Sequence, residues 1–345
     1  MPRHRFTLAA LATLAVPGLD VAVTRTFTGG GDGQYDAALI TDALGSHFIV
    51  RAPVDRSSAE RLEAEERALG ALTSGARARL PFDAPTVVGV LPKPRTVVGG
   101  YIEGVRLQPP VVRPDGPLAG SVGRALAAVH DLPAAVVADA GLPVASAADC
   151  ARAVDELVRR ADSCGDVPLE LVGRWSAAAA DPALWRFRPT VVHGAMGAEC
   201  VLVDREGERV TGLLGWGLLA VGDPARDLAW ALGLPEPGAP AAVLGAYAAA
   251  RPQEHDPALA QRALLYAELE LVRWLLHGLE RRDPVVVEDA VQMLEALLAS
   301  VLEHTAGSLG HDRMPPLTVA EVERMLAARH AAPLAAQASS SSSSE

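Results

Sequence analysis

The stretch that most constrains the fold of this 345-residue chain is 191–232, VVHGAMGAECVLVDREGERVTGLLGWGLLAVGDPARDLAWAL. Its middle predicts a β-hairpin, because the apolar segments CVLV and RVTGLLGW flank the turn-forming residues DREG. The segments on both sides of this stretch have the apolar spacing of helices. One hairpin inserted among helices indicates a mixed α+β fold.

The rest of the chain divides into a strand-rich part and a helix-rich part. Residues 20–102 contain short apolar segments typical of strands, together with one helical segment, SSAERLEAEERALGAL, whose candidate N-caps are Ser57 and Ser58. From about residue 119 onward the apolar residues recur at helical spacing. We therefore predict three parts: an N-terminal lobe over 1–102, a helical lobe over 103–330, and a disordered tail of Ala and Ser over 331–345.

The first segment, MPRHRFTLAALATLAVPGLD, has two interpretations. It imitates a secretory signal, because a basic start precedes a short apolar run. It also fits a first amphipathic helix that ends at Pro17 and Gly18. We favour the helix, because strand-like sequence follows at once and because three widely spaced cysteines fit a reducing compartment. We therefore predict a cytoplasmic protein.

Charge and hydropathy argue against two classes of partner. The chain has 31 Lys and Arg against 42 Asp and Glu, a net charge of −11, and no basic block. We therefore predict that it does not bind nucleic acid. No apolar run reaches the roughly 18 residues of a membrane span, so we predict no membrane association either.

The loop HGAMGAEC and the residues after the hairpin have the spacing of a phosphoryl-transfer site. Such a site needs an Asp that accepts the substrate hydroxyl proton, a Mg²⁺ ligand further along the loop, and a second metal-binding Asp. In this sequence the three positions hold Ala195, Cys200 and Gly215. Alanine accepts no proton, a thiol is a poor ligand for hard Mg²⁺, and glycine has no side chain.

Three segments, HGAMGAECVLV, LLGWG and GDPARDLAW, resemble in order and spacing the aminoglycoside and macrolide phosphotransferase family, above all its macrolide branch. The family pattern is approximately H-G-D-x-x-x-x-N-V-L (with His for Asn in macrolide enzymes), a hairpin, I-D-W, and G-D-P-x-x-D-L-A. The resemblance extends from about residue 20 to residue 300. It implies a two-lobed protein-kinase-like α+β fold, with a small antiparallel-sheet N-lobe carrying one helix and a larger helical C-lobe containing the loop and hairpin.

The resemblance also implies roles for individual residues. On the nucleotide side these are the phosphate-side Arg51 with its partner Glu65, the loop glycines Gly30 and Gly31, and the hinge residues Gly100 and Tyr101. On the catalytic side they are His193 and the loop-supporting Asp223 and Asp227. ATP or GTP is the cofactor that the resemblance implies, whereas Mg²⁺ is doubtful because its ligand positions are degenerate.

Other polar residues near the loop have two interpretations each. Cys200 and His193 could form a nucleophilic pair, but no third group supports this, and a buried inert thiol is favoured. Glu199 lies beside the lost ligand, yet one carboxylate does not fix Mg²⁺ without phosphate partners. Three acidic residues of the late helices could face a basic acceptor or form a solvated helix face: Glu268, Glu270 and Glu280.

We therefore predict a pseudokinase that has lost its catalytic base and both metal ligands. It would act by binding a small molecule in the interlobe cleft or an unknown protein. The alternative is an active ATP- or GTP-dependent phosphotransferase that modifies a hydroxyl of a macrolide-like or other small molecule, as antibiotic-resistance enzymes do. General-base catalysis contributes about 10²–10⁴ in rate and metal polarisation several kcal/mol more, so the residue types favour the pseudokinase.

Overall fold

The computed structural model describes residues 2–27, 33–254 and 256–306, in a sheet lobe followed by a helical lobe. The elements of the first lobe are α1 (Arg5–Ala15), β1 (Val21–Thr26), β2 (Tyr35–Asp42), β3 (His47–Pro53), α2 (Arg56–Ala71), α3 (Ser74–Arg77), β4 (Val87–Leu91) and β5 (Thr96–Gly100). The strands form one antiparallel sheet in the order β1-β2-β3-β5-β4. The strands and the helix predicted for this part of the chain are present.

Helix α1 is the predicted first helix, and it covers one face of the sheet. Its residues Leu8 and Ala12 lie in an apolar cluster with Ile40, Val50 and Val98 of the strands. Successive side chains of a strand point to opposite faces. The residue that follows Val50 therefore faces away from α1, and this places Arg51 on the opposite side of the sheet.

Helix α2 begins at a different cap from the predicted Ser57 or Ser58. Its N-cap is Asp55, whose carboxylate accepts a hydrogen bond from the Ser58 amide at 2.7 Å. A carboxylate in this position satisfies an amide that the first helical turn leaves free. Ser58 is therefore a residue of the first turn, and its side chain is buried.

The second lobe is mainly helical. Its helices are α4 (Pro117–His130), α5 (Ala135–Ala138), α6 (Ala147–Cys164), α7 (Leu169–Ala180), α8 (Ala225–Leu228), α9 (Ala239–Ala250), α10 (Leu259–Arg281) and α11 (Pro284–Ala306). Its strands are β6 (Val105–Arg106), β7 (Thr190–Val192), β8 (Val201–Val203), β9 (Val210–Leu213) and β10 (Ala220–Gly222). The predicted hairpin is β8 and β9, which β6 extends to three strands, while β7 pairs with β10.

The segment LELVGRWSAAAADPALWRF, which ends at Phe187, has the apolar spacing of one helix, but helix α7 is shorter than this pattern predicts. It ends at Ala180, just before Asp181 and Pro182. A residue that precedes proline disfavours the helical conformation, and the Asp181 carboxylate accepts the Ala183 amide at 2.9 Å instead.

One apolar core joins the end of α2 to the second lobe. Leu69, Leu72 and Phe82 belong to the same buried cluster as Trp175 and Trp216. No helix in the described ranges is both long and apolar enough to cross a membrane. The predicted tail over 331–345 and the end of the predicted lobe over 103–330 lie outside the described residues.

Candidate active site

The loop that follows β7 is held by the carboxylate of Asp227. This carboxylate accepts hydrogen bonds from the amides of His193 at 2.6 Å and Gly194 at 2.8 Å, and lies 3.2 Å from Nε2 of His130. Burial acts to raise the pKa of Asp227, but the hydrogen bond and charge of His130 and the amide of Gly194 outweigh it and lower the pKa. Asp227 therefore supports the loop as an ionised group, in the place that the resemblance implies.

Asp223 does not contact the loop. Its carboxylate binds the Arg262 guanidinium with two hydrogen bonds of 2.7 and 3.1 Å, and it accepts the Ala225 amide at 2.9 Å. Arg262 is fully buried, also binds Asp256 at 2.6 Å, and lies over the Phe187 ring at 4.2 Å. Asp223 therefore fastens the start of α8 to α10, and the loop support that the resemblance implies for it stays a prediction.

The three degenerate positions come together in space. The Cys200 thiol donates to the Ala195 carbonyl oxygen at 3.3 Å. A Cβ atom built on Gly215 would lie 3.3 Å from the Cys200 sulfur and 3.9 Å from Cε1 of His193. The place where the resemblance puts a base and two metal ligands therefore holds a methyl group, a thiol and a bare backbone.

The Cys200 thiol and the His193 imidazole are both uncharged. Burial, followed by the neighbouring Glu199 carboxylate, raises the pKa of Cys200 to about 12. Burial also lowers the pKa of His193. The Nε2 atom of His193 lies 2.9 Å from the Leu214 carbonyl oxygen, and because a carbonyl only accepts, Nε2 carries the proton. The contacts of Cys200 are with Ala195 and Glu199, which favours an inert thiol over a nucleophilic Cys–His pair.

The residues at this loop do not fit Mg²⁺. Hard divalent cations prefer several oxygen ligands. The carboxylate beside the Cys200 sulfur, that of Glu199, is exposed and lies 3.8 Å away, and the Asp227 carboxylate is already engaged by the His193 and Gly194 amides. Within the part of the chain that the structure describes, no group of three or more His, Cys, Asp or Glu side chains could hold a metal ion.

On the sheet lobe, Arg51 and Glu65 form the ion pair that the resemblance implies. Their side chains meet at 2.7 Å, between β3 and α2, and the Arg51 guanidinium also lies 5.7 Å from the centre of the Tyr35 ring. Helix α2 also touches the turn at 216–218. A Cβ atom on Gly217 would lie 3.8 Å from Cβ of Glu65, so the ion pair and the degenerate loop are neighbours.

The backbone amides of the hinge that have no hydrogen-bond partner in the described part of the chain follow the predicted residues Gly100 and Tyr101 in the sequence. The Gly100 amide donates to the Thr86 carbonyl at 3.0 Å, and the Tyr101 amide to the His47 carbonyl at 3.1 Å. Neither amide can therefore donate to a base. The amides of Ile102 and Glu103 have no hydrogen-bond partner among the described residues, which makes them the candidate base contacts. The predicted phosphate-loop residues Gly30 and Gly31 lie outside the described residues.

The late-helix carboxylates are structural or solvated. Glu268 is buried and accepts hydrogen bonds from the Trp175 indole at 2.6 Å and from Arg174 at 3.1 Å. Glu270 pairs with Arg273 along its own helix, and Glu280 pairs with Arg160 at 2.8 Å. None of these contacts is typical of an acceptor-binding group.

Sequence comparison identifies one family and one curated relative. Residues 24–265 match the model of the phosphotransferase enzyme family. The uncharacterized protein YcbJ of Bacillus subtilis (strain 168) is 26% identical over 205 residues, which are 56% of this chain. The chain spans 65% of the length of that relative.

Structure comparison confirms the predicted fold and the predicted resemblance. Macrolide 2'-phosphotransferase type I is 26% identical, with a TM-score of 0.69, over 84% of this chain and 95% of its own. Macrolide 2'-phosphotransferase MphH from Brachybacterium faecium is 24% identical, with a TM-score of 0.70, over 84% of this chain and 98% of its own. The GDP and kanamycin complex of APH(2")-IIia is 20% identical, with a TM-score of 0.66, over 88% of this chain and 100% of its own.

Proposed function

Because this chain belongs to the phosphotransferase enzyme family, we propose that it is a pseudokinase, which binds a ligand between its lobes without transferring a phosphoryl group. The observation that carries the proposal is the convergence of Ala195, Cys200 and Gly215 at one point of the loop. A general base contributes about 10²–10⁴ in rate, or about 3–5 kcal/mol of barrier. The missing metal ligands remove several kcal/mol more, so the expected turnover is below detection.

The proposed ligand is a purine nucleotide, ATP or GTP, bound without Mg²⁺. The free amides of Ile102 and Glu103 can donate to a base edge, and Arg51 lies on the side of the sheet that faces away from α1. The related structure APH(2")-IIia is a GDP complex, which supports a nucleotide in this fold. A protein partner is the other ligand that we propose for a cleft without catalytic groups. The three cysteines are free, which fits the cytoplasm as the proposed compartment.

The test is a thermal-shift titration with ATP and with GTP, each with and without Mg²⁺. A ligand at about 100 times its dissociation constant stabilises a fold by about 2.7 kcal/mol. We expect a shift that does not depend on Mg²⁺ and that weakens in Arg51→Ala. Arg56→Ala is the matched control, because the Arg56 side chain is 94% exposed and pairs with Glu60 along α2. A shift in melting temperature that requires Mg²⁺ would contradict the proposal. If neither nucleotide shifts the melting temperature, the remaining proposed ligand is a protein partner.

The alternative is an active phosphotransferase that modifies a small-molecule hydroxyl, which would make the protein an antibiotic-resistance enzyme. It is favoured by the assembled state of the remaining machinery, the Arg51–Glu65 pair and the Asp227-supported loop, and by the similarity to a macrolide 2'-phosphotransferase. Its test is incubation with ATP or GTP, Mg²⁺ and either a macrolide or kanamycin, followed by mass spectrometry. An added phosphoryl group on the acceptor would establish the enzyme, and its absence with both nucleotides supports the pseudokinase.

A further inference from the structure

A second concave site lies away from the interlobe cleft, on the helical lobe. It is a groove of about 350 Å³ between α4, the start of β9 and the segment before Phe82. We call it the α4 groove, and the residues that define it are Pro81, Ser121, Arg124, Asp131, Arg209 and Ala250. Three alanines of α4, Ala125, Ala127 and Ala128, also line it and make part of its surface apolar. The Ser121 hydroxyl already accepts a hydrogen bond from the Val210 amide at 3.0 Å.

The charges around the α4 groove are predominantly positive. Arg124 has no hydrogen-bond or ion-pair partner among the residues that the structure describes, and Arg209 has only Asp204, at 3.8 Å. The acidic residue of the groove, Asp131, is neutralised by Arg251 at 2.7 Å. Two guanidinium groups beside an apolar floor are therefore available to an anion, although the chain as a whole has a net charge of −11.

A buried polar chain connects this groove to the degenerate loop. Arg251 donates to Asp131 at 2.7 Å and to the Tyr247 hydroxyl oxygen at 2.7 Å. The Tyr247 hydroxyl lies 2.8 Å from Nδ1 of His130, whose Nε2 lies 3.2 Å from Asp227. The bonds of the chain can all run in one direction: the Tyr247 hydroxyl, which accepts from Arg251, can donate to Nδ1 of His130, and Nε2 of His130 can donate to the Asp227 carboxylate.

We propose that the α4 groove binds a small organic anion, a carboxylate or phosphate monoester with an apolar body, and that its occupancy alters the loop at 193–200. An anion beside Arg124 and Arg209 repels the Asp131 carboxylate, which draws Arg251 away from Tyr247. The polar chain ends at Asp227, whose carboxylate accepts hydrogen bonds from the His193 and Gly194 amides of the loop. Buried networks of this kind couple their members because a lost partner leaves an unsatisfied polar group.

The binding test uses phenyl phosphate and benzoate as probes, with benzylammonium as the cationic counterpart, in calorimetric titrations of the full chain. We expect both anions to bind, the cation not to bind, and the double variant Arg124→Ala/Arg209→Ala to bind the anions at least about tenfold more weakly. Arg205→Ala is the matched control, because Arg205 is an exposed arginine of the same hairpin turn that does not line the groove. The control is expected to bind both anions as the parent protein does.

Three results would overturn the site: neither anion binds, binding is unchanged in Arg124→Ala/Arg209→Ala, or binding is lost in Arg51→Ala. The last result would place the anion in the interlobe cleft. It would therefore separate the α4 groove from the proposed nucleotide site.

The coupling test is amide hydrogen exchange over 193–200, with and without phenyl phosphate. We expect exchange in this segment to change in the parent protein and to stay constant in Tyr247→Phe, which still binds the probe but lacks the bridging hydroxyl. If Tyr247→Phe does not fold, Asp131→Asn serves instead, because the Asp131 side chain is 54% exposed where the polar chain begins. Asp131 lines the groove, so the affinity of this variant for phenyl phosphate is measured first, and hydrogen exchange is compared with the parent protein at equal occupancy. Identical exchange with and without bound phenyl phosphate in the parent protein would overturn the coupling.

Discussion

Gly194 shows how closely the loop approaches the rest of the site. Its φ is +82°, and a Cβ atom there would lie 2.2 Å from the Leu218 carbonyl oxygen. Both the backbone conformation and the space therefore require glycine. The neighbouring Ala195 is exposed, so the loop tolerates a side chain at the degenerate base position but not one residue earlier.

Gly194→Ala should destabilise the fold much more than Gly207→Ala. Both positions have positive φ, which costs a residue with a side chain about 1–2 kcal/mol, but nothing lies within 4 Å of a Cβ on Gly207. The clash with Leu218 should at least double the cost at Gly194. Urea unfolding of the two variants measures the difference, and equal losses would show that the loop can move away from Leu218.

Asp227 is expected to give the fold a specific acid sensitivity. Its pKa is lowered in the folded state, so its carboxylate stabilises the fold above the ordinary Asp pKa of about 3.9. That stabilisation is lost as the pH falls through the lower, folded pKa. Asp227→Asn should lower the free energy of unfolding by about 2–3 kcal/mol at neutral pH. The side-chain NH₂ group of Asn donates hydrogen bonds, so it cannot accept from the backbone amide of His193 or Gly194 that it would face.

The check is urea unfolding of both proteins between pH 7 and pH 3. The difference between them should narrow below about pH 4, because the unfolded parent then takes up a proton on Asp227 that the folded state, with its lower pKa, still excludes. The Asn variant has no such group at this position. A difference that stays constant across this range would show that Asp227 acts through its shape and not through its charge.

At the scale of elements, α1 depends on its buried face. Leu8 is 1% exposed and packs on the sheet, whereas Leu14 of the same helix is 67% exposed. Leu8→Ala should therefore cost at least about 2 kcal/mol, and Leu14→Ala should change stability by less than about 0.5 kcal/mol. Far-UV circular dichroism during urea unfolding measures both, and equal effects would mean that α1 does not depend on this contact.

The elements could be predicted from the sequence because their signals are local. Alternating apolar residues predicted β8 and β9, and the resemblance placed Arg51 opposite Glu65 and Asp227 behind the loop. Helix ends were less certain, since Asp55 competes with Ser57 as a cap and Asp181 stops α7 early. Contacts between distant segments could not be predicted: Arg262 is 39 residues from Asp223, and His130 is 97 residues from Asp227. No local pattern specifies such pairs.

At the scale of the whole molecule, the two lobes share a core. Phe82 precedes β4 of the sheet lobe but is buried in the same cluster as Trp175 and Trp216. Its neighbour Asp83 exchanges backbone hydrogen bonds with Thr211 and Leu213 of the hairpin strand β9. The segment after α3 is therefore part of the helical lobe in its packing, and the smaller cluster under α1 is separate.

This division predicts which variants affect the helical lobe. All five tryptophans of the chain lie beyond residue 170, so intrinsic tryptophan fluorescence reports on that lobe alone. Phe82→Ala should lower the urea midpoint of the fluorescence transition by the equivalent of about 3 kcal/mol. Leu8→Ala, in the separate cluster, should move the circular dichroism transition more than the fluorescence transition. If Phe82→Ala left the urea midpoint of the fluorescence transition unchanged, the shared core would not couple the two lobes. The cleft could then open without changing the stability of the helical lobe.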